Sequence, residues 1–79
     1  MKQLLTDLAR SIVNNPDGVE VTEYEDGDTI RLELRVDDSD LGKVIGKQGR
    51  IAKAMRVILR AKANRENRRV SVDILESDE

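Results

Sequence analysis

The sequence has no cysteine, histidine, tryptophan or phenylalanine among its 79 residues, and Tyr24 is its only aromatic residue. Without cysteine there is no disulfide and no thiolate, and without histidine there is no imidazole base and almost no ligand that transition metals prefer. One aromatic ring cannot form a stacking platform for bases or cofactors. These absences disfavour an enzyme, and we expect no catalytic residues, no metal site and no cofactor.

The chain is short and strongly charged. Its 79 residues provide room for one domain, and charged and apolar residues each make up 38% of them. The apolar runs are too short to span a membrane, and Asp7 interrupts the start of the chain before a signal-peptide core could form. We expect one domain over residues 1–76, an acidic tail at residues 77–79 and a cytoplasmic location.

The charge is unevenly distributed along the chain. Residues 43–69 contain ten basic residues and one acidic residue, a net charge of +9, although the whole chain carries −2. The flanking residues 1–42 and 70–79 carry −7 and −4. A basic segment inside an acidic chain favours the binding of a polyanion at one site. The alternative is an ordinary solvated helix surface.

The hydrophobic pattern predicts three helices and three strands. The helices are predicted at residues 2–14, 39–45 and 50–63, and the strands at residues 19–25, 29–36 and 68–75. An Asp-Gly pair at Asp26 predicts a tight hairpin between the first two strands. The spacing on the third helix predicts a core stripe of Ile51, Ala54, Met55, Ile58 and Leu59.

The order of these elements, α-β-β-α-α-β, predicts an α+β fold in two layers. The last strand follows a helical crossover, so we expect it to pair parallel to an earlier strand and to complete a small mixed sheet of three strands. The three helices would then cover the one apolar face of that sheet.

The most informative segment joins the second and third helices. Gly46 and Gly49 bracket Lys47 and Gln48, so two polar side chains lie at the tip of a turn. We expect Gly46 to end the second helix in a left-handed conformation and Gly49 to allow a close approach of the backbone. The N-terminus of the following helix favours a phosphate at this turn, and neighbouring aliphatic residues provide a floor for bases. The residues that we predict to bind nucleic acid are Lys43, Val44, Ile45, Gly46, Lys47, Gln48, Gly49, Arg50, Ile51 and Lys53.

This segment resembles the signature of the KH domain, an aliphatic residue followed by Ile-Gly-x-x-Gly (the GXXG loop) and a further aliphatic residue. Residues 44–51 fit it, reading VIGKQGRI. The element order resembles the type II, prokaryotic arrangement, and the length is closest to that of the small bacterial single-KH RNA-binding proteins, the KhpA family. The resemblance covers nearly the whole chain.

The resemblance implies a function that the residues alone do not specify. It implies that the loop grips the backbone of single-stranded RNA, about four nucleotides per domain, while the bases lie in the adjacent groove. It also implies pairing, as a homodimer or with a larger KH-containing RNA-binding protein. The implied role is that of an RNA chaperone or post-transcriptional regulator, with links to cell shape, envelope and division.

Two alternatives stay open at this point, and one rival motif is rejected. A helix-hairpin-helix also binds a nucleic-acid backbone at a glycine turn, but its turn usually holds an apolar residue where this chain has Lys47 and Gln48, and we reject it for that reason. The KH fold could instead serve as a scaffold for protein interaction or dimerisation. Single-stranded DNA could replace RNA, because the distinction depends on contacts to the 2′-hydroxyl.

Overall fold

The computed structural model describes residues 1–76, and the acidic tail predicted at residues 77–79 lies outside the described residues. The regular elements are α1 (Lys2–Ile12), β1 (Glu20–Asp26), β2 (Thr29–Arg35), α2 (Leu41–Ile45), α3 (Arg50–Arg65) and β3 (Arg69–Ile74). The predicted order α-β-β-α-α-β is confirmed. Within the described part of the chain, no helix is both long and apolar enough to cross a bilayer.

The three strands form one mixed sheet in the order β1-β2-β3. β1 and β2 are antiparallel, and the two-residue turn between them begins at Gly27, whose φ of 65° suits a residue without a side chain. β3 pairs parallel to β2, as expected of a strand that follows a helical crossover. β3 is therefore an edge strand, and no strand within residues 1–76 pairs with its outer edge.

The core lies between the inner face of the sheet and the helices. Ile30, Leu32 and Leu34 alternate along β2 and are at most 2% exposed, whereas Arg31 and Arg35 lie on the opposite, solvated face. All three helices contribute buried side chains to the same apolar cluster. The predicted two-layer α+β arrangement is confirmed.

The core stripe of α3 differs from the predicted one. Met55 and Leu59 are buried as predicted, but Ile51 and Ile58 are 37% and 44% exposed, and Ala54 is also exposed. The buried residues of the helix are Ala52, Met55, Leu59 and Ala63. Small alanine side chains let the helix axis lie close to the sheet. The helix is rotated about its axis so that Ala52 and Ala63 are buried and the two isoleucines are exposed. Alanine contributes little to a hydrophobic pattern, which is why the larger isoleucines dominated the prediction.

The acidic run before α2 has two separate roles. Asp37 caps a single 3₁₀ turn, and its carboxylate accepts hydrogen bonds from the backbone N–H and the hydroxyl of Ser39 at 2.9 and 2.8 Å. These bonds, together with one from the Asn15 side chain, lower the pKa of Asp37 below its usual value. Asp37 is thus the N-cap residue of this turn.

Asp40 instead connects two distant parts of the chain. It is 1% exposed, and its two carboxylate oxygens accept the backbone N–H groups of Asn14 and Asn15 at 3.1 and 2.9 Å. The ammonium of Lys43 lies 3.9 Å from the same carboxylate. The end of α1 is thereby joined to the start of α2, the helix that leads into the glycine-bounded loop.

We predict that Asp40→Asn lowers the free energy of unfolding by about 1–3 kcal/mol. The carboxamide keeps one acceptor oxygen but presents an NH₂ group to the second backbone N–H, which is partly buried and loses its partner. Urea denaturation followed by circular dichroism measures the change. Asp38→Asn, at an exposed position in the same run, is the matched control and should change stability by less than about 0.5 kcal/mol. Equal stability of the two variants would contradict the assigned role.

Candidate nucleic-acid interface

The loop between α2 and α3 consists of one tight 3₁₀ turn, Lys47–Gly49, bounded by the two glycines of the GXXG sequence. The turn is closed by the N–H of Gly49, which donates to the carbonyl of Gly46 at 3.1 Å. Gln48 has a φ of 58°, a left-handed conformation that costs a non-glycine residue roughly 1 kcal/mol. Its side-chain oxygen accepts from the Arg50 guanidinium at 3.3 Å. The side chains of Lys47 and Gln48 are both exposed at the tip.

The two glycines have exchanged the roles that we predicted for them. Gly46 makes the close approach: a methyl group there would lie 2.8 Å from the backbone nitrogen of Ile51. Gly46 has a φ of 78° but a ψ of 171°, so it ends α2 without adopting the left-handed helical conformation. Gly49, with φ 75° and ψ 14°, adopts that conformation and has open space around it. Gly46 therefore requires glycine because of the close contact, whereas Gly49 favours glycine because of its backbone conformation.

The N-terminus of α3 faces this loop without a side-chain cap. Its N-cap is Gly49, no side chain in the described part of the chain accepts a hydrogen bond there, and the first turn contains no acidic residue. The first backbone N–H groups of a helix have no partner inside the helix, and the helix dipole makes this end positive. Of the predicted cations, Lys43, Lys47, Arg50 and Lys53 are all exposed around it. The arrangement can accept a phosphate group.

The aliphatic floor is smaller than predicted. Val44 is fully buried in the core, so its predicted contact with a ligand is revised to a packing role beneath the loop. Ile45 is half-buried and packs on the same core. Ile51 is 37% exposed and lies against Gly46. Ile45 and Ile51 are therefore the predicted aliphatic residues that retain exposed surface.

An open cleft lies between α3 and the free edge of β3. A cavity of about 300 Å³ there is lined by residues that include Arg56, Arg60, Val70 and Val72. A second cavity of about 230 Å³, which shares Arg60 and Val70 with the first, extends it towards the start of β3. Arg56 and Arg60 were absent from the predicted site. Their spacing from Lys53, at i+3 and i+7, places all three on one helix face. This spacing is the feature of the sequence from which they could have been assigned to the site.

Other cations of the basic segment balance acidic groups instead. Arg68 donates to a carboxylate oxygen of Glu25 at 2.9 Å, and this pairing lowers the pKa of Glu25 below its usual value. The ammonium of Lys62 lies 3.4 Å from the carboxylate of Glu66, the residue that follows the end of α3. The two readings of the basic segment, a polyanion site and a solvated surface, thus apply to different residues of it.

Solved structures share this fold. Era in complex with MgGDPNP and nucleotides of 16S ribosomal RNA matches 92% of this chain with a TM-score of 0.69 and 21% identity, and the matching region is 28% of that chain. Aquifex aeolicus Era bound to GDP and AlF₄⁻ matches with a TM-score of 0.67 and 20% identity, over 92% of this chain and 28% of that chain. This similarity concerns the fold alone.

Curated relatives of nearly the same length are more similar in sequence. The RNA-binding protein KhpA of Clostridium acetobutylicum is 55% identical over 95% of this chain and the whole of that protein. The proteins of the same name from Halalkalibacterium halodurans and Aquifex aeolicus are 47% and 50% identical over 96% of this chain, and over 100% and 96% of their own lengths. The family described as "KhpA/KhpB, KH domain" matches residues 2–74. Together with the GXXG loop and the mixed sheet, these matches mean that the chain belongs to the KhpA/KhpB family of KH-domain proteins.

Proposed function

We propose that this protein binds single-stranded RNA, with the sugar–phosphate backbone on the GXXG loop and the bases in the cleft between α3 and β3. The observation that carries the proposal is the uncapped N-terminus of α3, which lies directly behind the exposed Lys47 and Gln48. Backbone N–H groups and cations that converge on one turn provide what a phosphate needs. The RNA-binding names of the curated relatives support RNA as the ligand.

The proposed role is that of a binding protein without catalytic activity. A single domain that holds about four nucleotides recognises short unpaired segments with modest sequence preference. Such a protein acts in the cytoplasm as an RNA chaperone or post-transcriptional regulator. The exposed Ile45 and Ile51 surface beside the loop suits the flat faces of unstacked bases, and no cofactor takes part.

Pairing with a second copy of the chain completes the proposal. Val57 and Ile58 are 58% and 44% exposed on α3, a large apolar exposure for a chain of this size. Ile58 also lines an open groove between α1 and α3, together with Leu4 and Ala61. Ile58 and Ala61 lie on a different side of α3 from Arg56 and Arg60, so pairing through this groove leaves the cleft at β3 open. Two linked sites raise the affinity that one short site lacks. A larger KH-containing protein is the other candidate partner for the same surface.

The double variant Lys47→Asp/Gln48→Asp should abolish RNA binding while the circular dichroism spectrum stays unchanged. Both side chains are exposed, and aspartate tolerates the positive φ at position 48. Two carboxylates at the loop would repel the phosphate that the helix N-terminus attracts. Fluorescence anisotropy with a labelled eight-nucleotide oligouridylate measures the loss.

Lys2→Asp/Gln3→Asp is the matched control for this variant, because the same two residue types occur side by side and exposed on α1. It introduces the same charge change far from the loop in sequence and should retain binding within about threefold. Retained binding by the loop variant would refute the site and favour the scaffold alternative. Equal binding of the matching DNA oligonucleotide would extend the ligand to single-stranded DNA.

The affinity should fall with salt as expected for three or four neutralised phosphates. For single strands each phosphate contributes about 0.7 to the slope of log K against log salt, so the expected slope lies at about −2 to −3. Lys47→Gln should reduce its magnitude by about 0.7, whereas Lys2→Gln should leave it unchanged. Anisotropy titrations between about 50 and 300 mM salt provide the measurement. A slope close to zero would rule out the phosphate clamp.

Ile58→Glu should shift the chain from dimer to monomer in sedimentation equilibrium. The side chain is 44% exposed within the monomer, so the substitution places a charge in the proposed interface without burying it in the core. Thr22→Glu, at an exposed position on the outer face of the sheet, is the control and should not change the oligomeric state. A wild-type chain that sediments as a monomer at all concentrations would contradict self-pairing.

A further inference from the structure

The free edge of β3 is occupied at its middle by the side chain of Arg56. Its Nε and Nη2 groups both donate to the carbonyl oxygen of Val72, at 3.2 and 3.1 Å. The contact joins residues 16 positions apart in the chain and is partly buried. An arginine that bonds a backbone carbonyl in this way is fixed in position before any ligand arrives.

The sheet pattern explains why this carbonyl faces the cleft. The N–H groups of Arg69 and Leu75 bond to the carbonyls of Asp28 and Leu34. The N–H groups at these odd-numbered positions therefore point towards β2 or towards the residue that precedes it. In a parallel ladder the bonding groups of successive residues point to alternate sides. Val72 therefore directs its N–H and carbonyl to the free edge, where Arg56 meets the carbonyl.

The guanidinium retains bonding capacity after this contact. It has five N–H groups, and the bond to Val72 uses the side formed by Nε and Nη2. The end formed by Nη1 and Nη2 keeps a pair of parallel N–H groups. No salt bridge within residues 1–76 involves Arg56, although Asp73 lines the same cavity. The Arg56 side chain lines this cleft of about 300 Å³, in which the proposed function places the bases.

We infer that Arg56 is a specificity-determining residue that selects a base with two adjacent hydrogen-bond acceptors. Guanine presents such a pair at O6 and N7, and cytosine presents one at O2 and N3. Adenine and uracil place a donor between or beside their acceptors and cannot satisfy both N–H groups. The inference rests on the proposed function, and adds to it the chemical class of the base read at this position.

Arg60 provides the internal comparison. It lies one turn further along α3 and lines the same cavity, but it is exposed, and within the described part of the chain its side chain makes no hydrogen bond to β3. An untethered cation of this kind attracts phosphates without selecting a base. The two arginines therefore separate base selection from general attraction in one cleft.

The test uses the full-length protein and eight-nucleotide oligouridylates that carry one central cytosine, guanine, 7-deazaguanine or adenine. Anisotropy titrations should give wild-type binding about 5- to 100-fold tighter for cytosine or guanine than for adenine or uracil. If guanine is the preferred base, 7-deazaguanine, which lacks N7, should lose the preference; a preference for cytosine alone identifies the O2 and N3 pair instead.

Arg56→Met should reduce the preference to less than twofold while binding to oligouridylate falls by no more than about threefold. Arg56→Lys keeps the charge and a donor for Val72 but lacks the paired N–H groups of the guanidinium, so it should lose the preference as well. This second variant keeps the test decisive if the Met variant fails to fold. Arg60→Met should weaken all sequences alike and leave the preference intact.

Three outcomes separate the possibilities. A wild-type protein without base preference overturns the inference, as does an Arg56→Met variant that weakens every sequence equally, because that pattern marks a phosphate contact. In both cases the proposed RNA binding still stands. If the wild type binds none of the oligonucleotides even at low salt, the proposed function fails, and the inference fails with it.

Discussion

The close packing of Gly46 on Ile51 is the constraint on which the loop depends. The chain leaves α2 and enters α3 across a gap too narrow for any side chain, since even a methyl group at Gly46 would lie within 2.9 Å of Ile51 atoms. Because the backbone passes so close to the start of α3, the next two residues, Lys47 and Gln48, must project outward. The exposed loop tip and the accessible end of α3 are thus two consequences of one contact.

The buried carboxylate of Asp40 supports this arrangement from the other end of α2. A five-residue helix has little stability of its own, so its position depends on what holds its ends. Asp40 fixes the beginning through two backbone N–H groups, and Gly46 fixes the end. The loop is therefore placed by contacts outside it, and Lys47 and Gln48 stay exposed at its tip.

Helix α3 carries three different surfaces. Alanines 52 and 63 let its inner face approach the sheet, Arg56 and Arg60 line the cleft at β3, and the exposed Val57 and Ile58 form an apolar outer surface. The first surface belongs to folding, the second to the proposed ligand and the third to the proposed partner. Ile58 lies on a different side of the helix from Arg56 and Arg60, so the proposed pairing through Ile58 leaves these two arginines to the proposed RNA site.

The sequence by itself determined the order of the elements, the Gly27 hairpin, the inner face of β2 and the position of the GXXG loop, because each depends on residues close together in the chain. It predicted the wrong face for much of α3, assigned Val44 to the ligand, and did not identify the bonds of Asp40 to residues 25 and 26 positions away or of Arg56 to Val72. Only the tertiary structure decided these, since the rotation of a helix and the partner of a buried polar group are set by whatever packs against them, and those neighbours are distant in sequence.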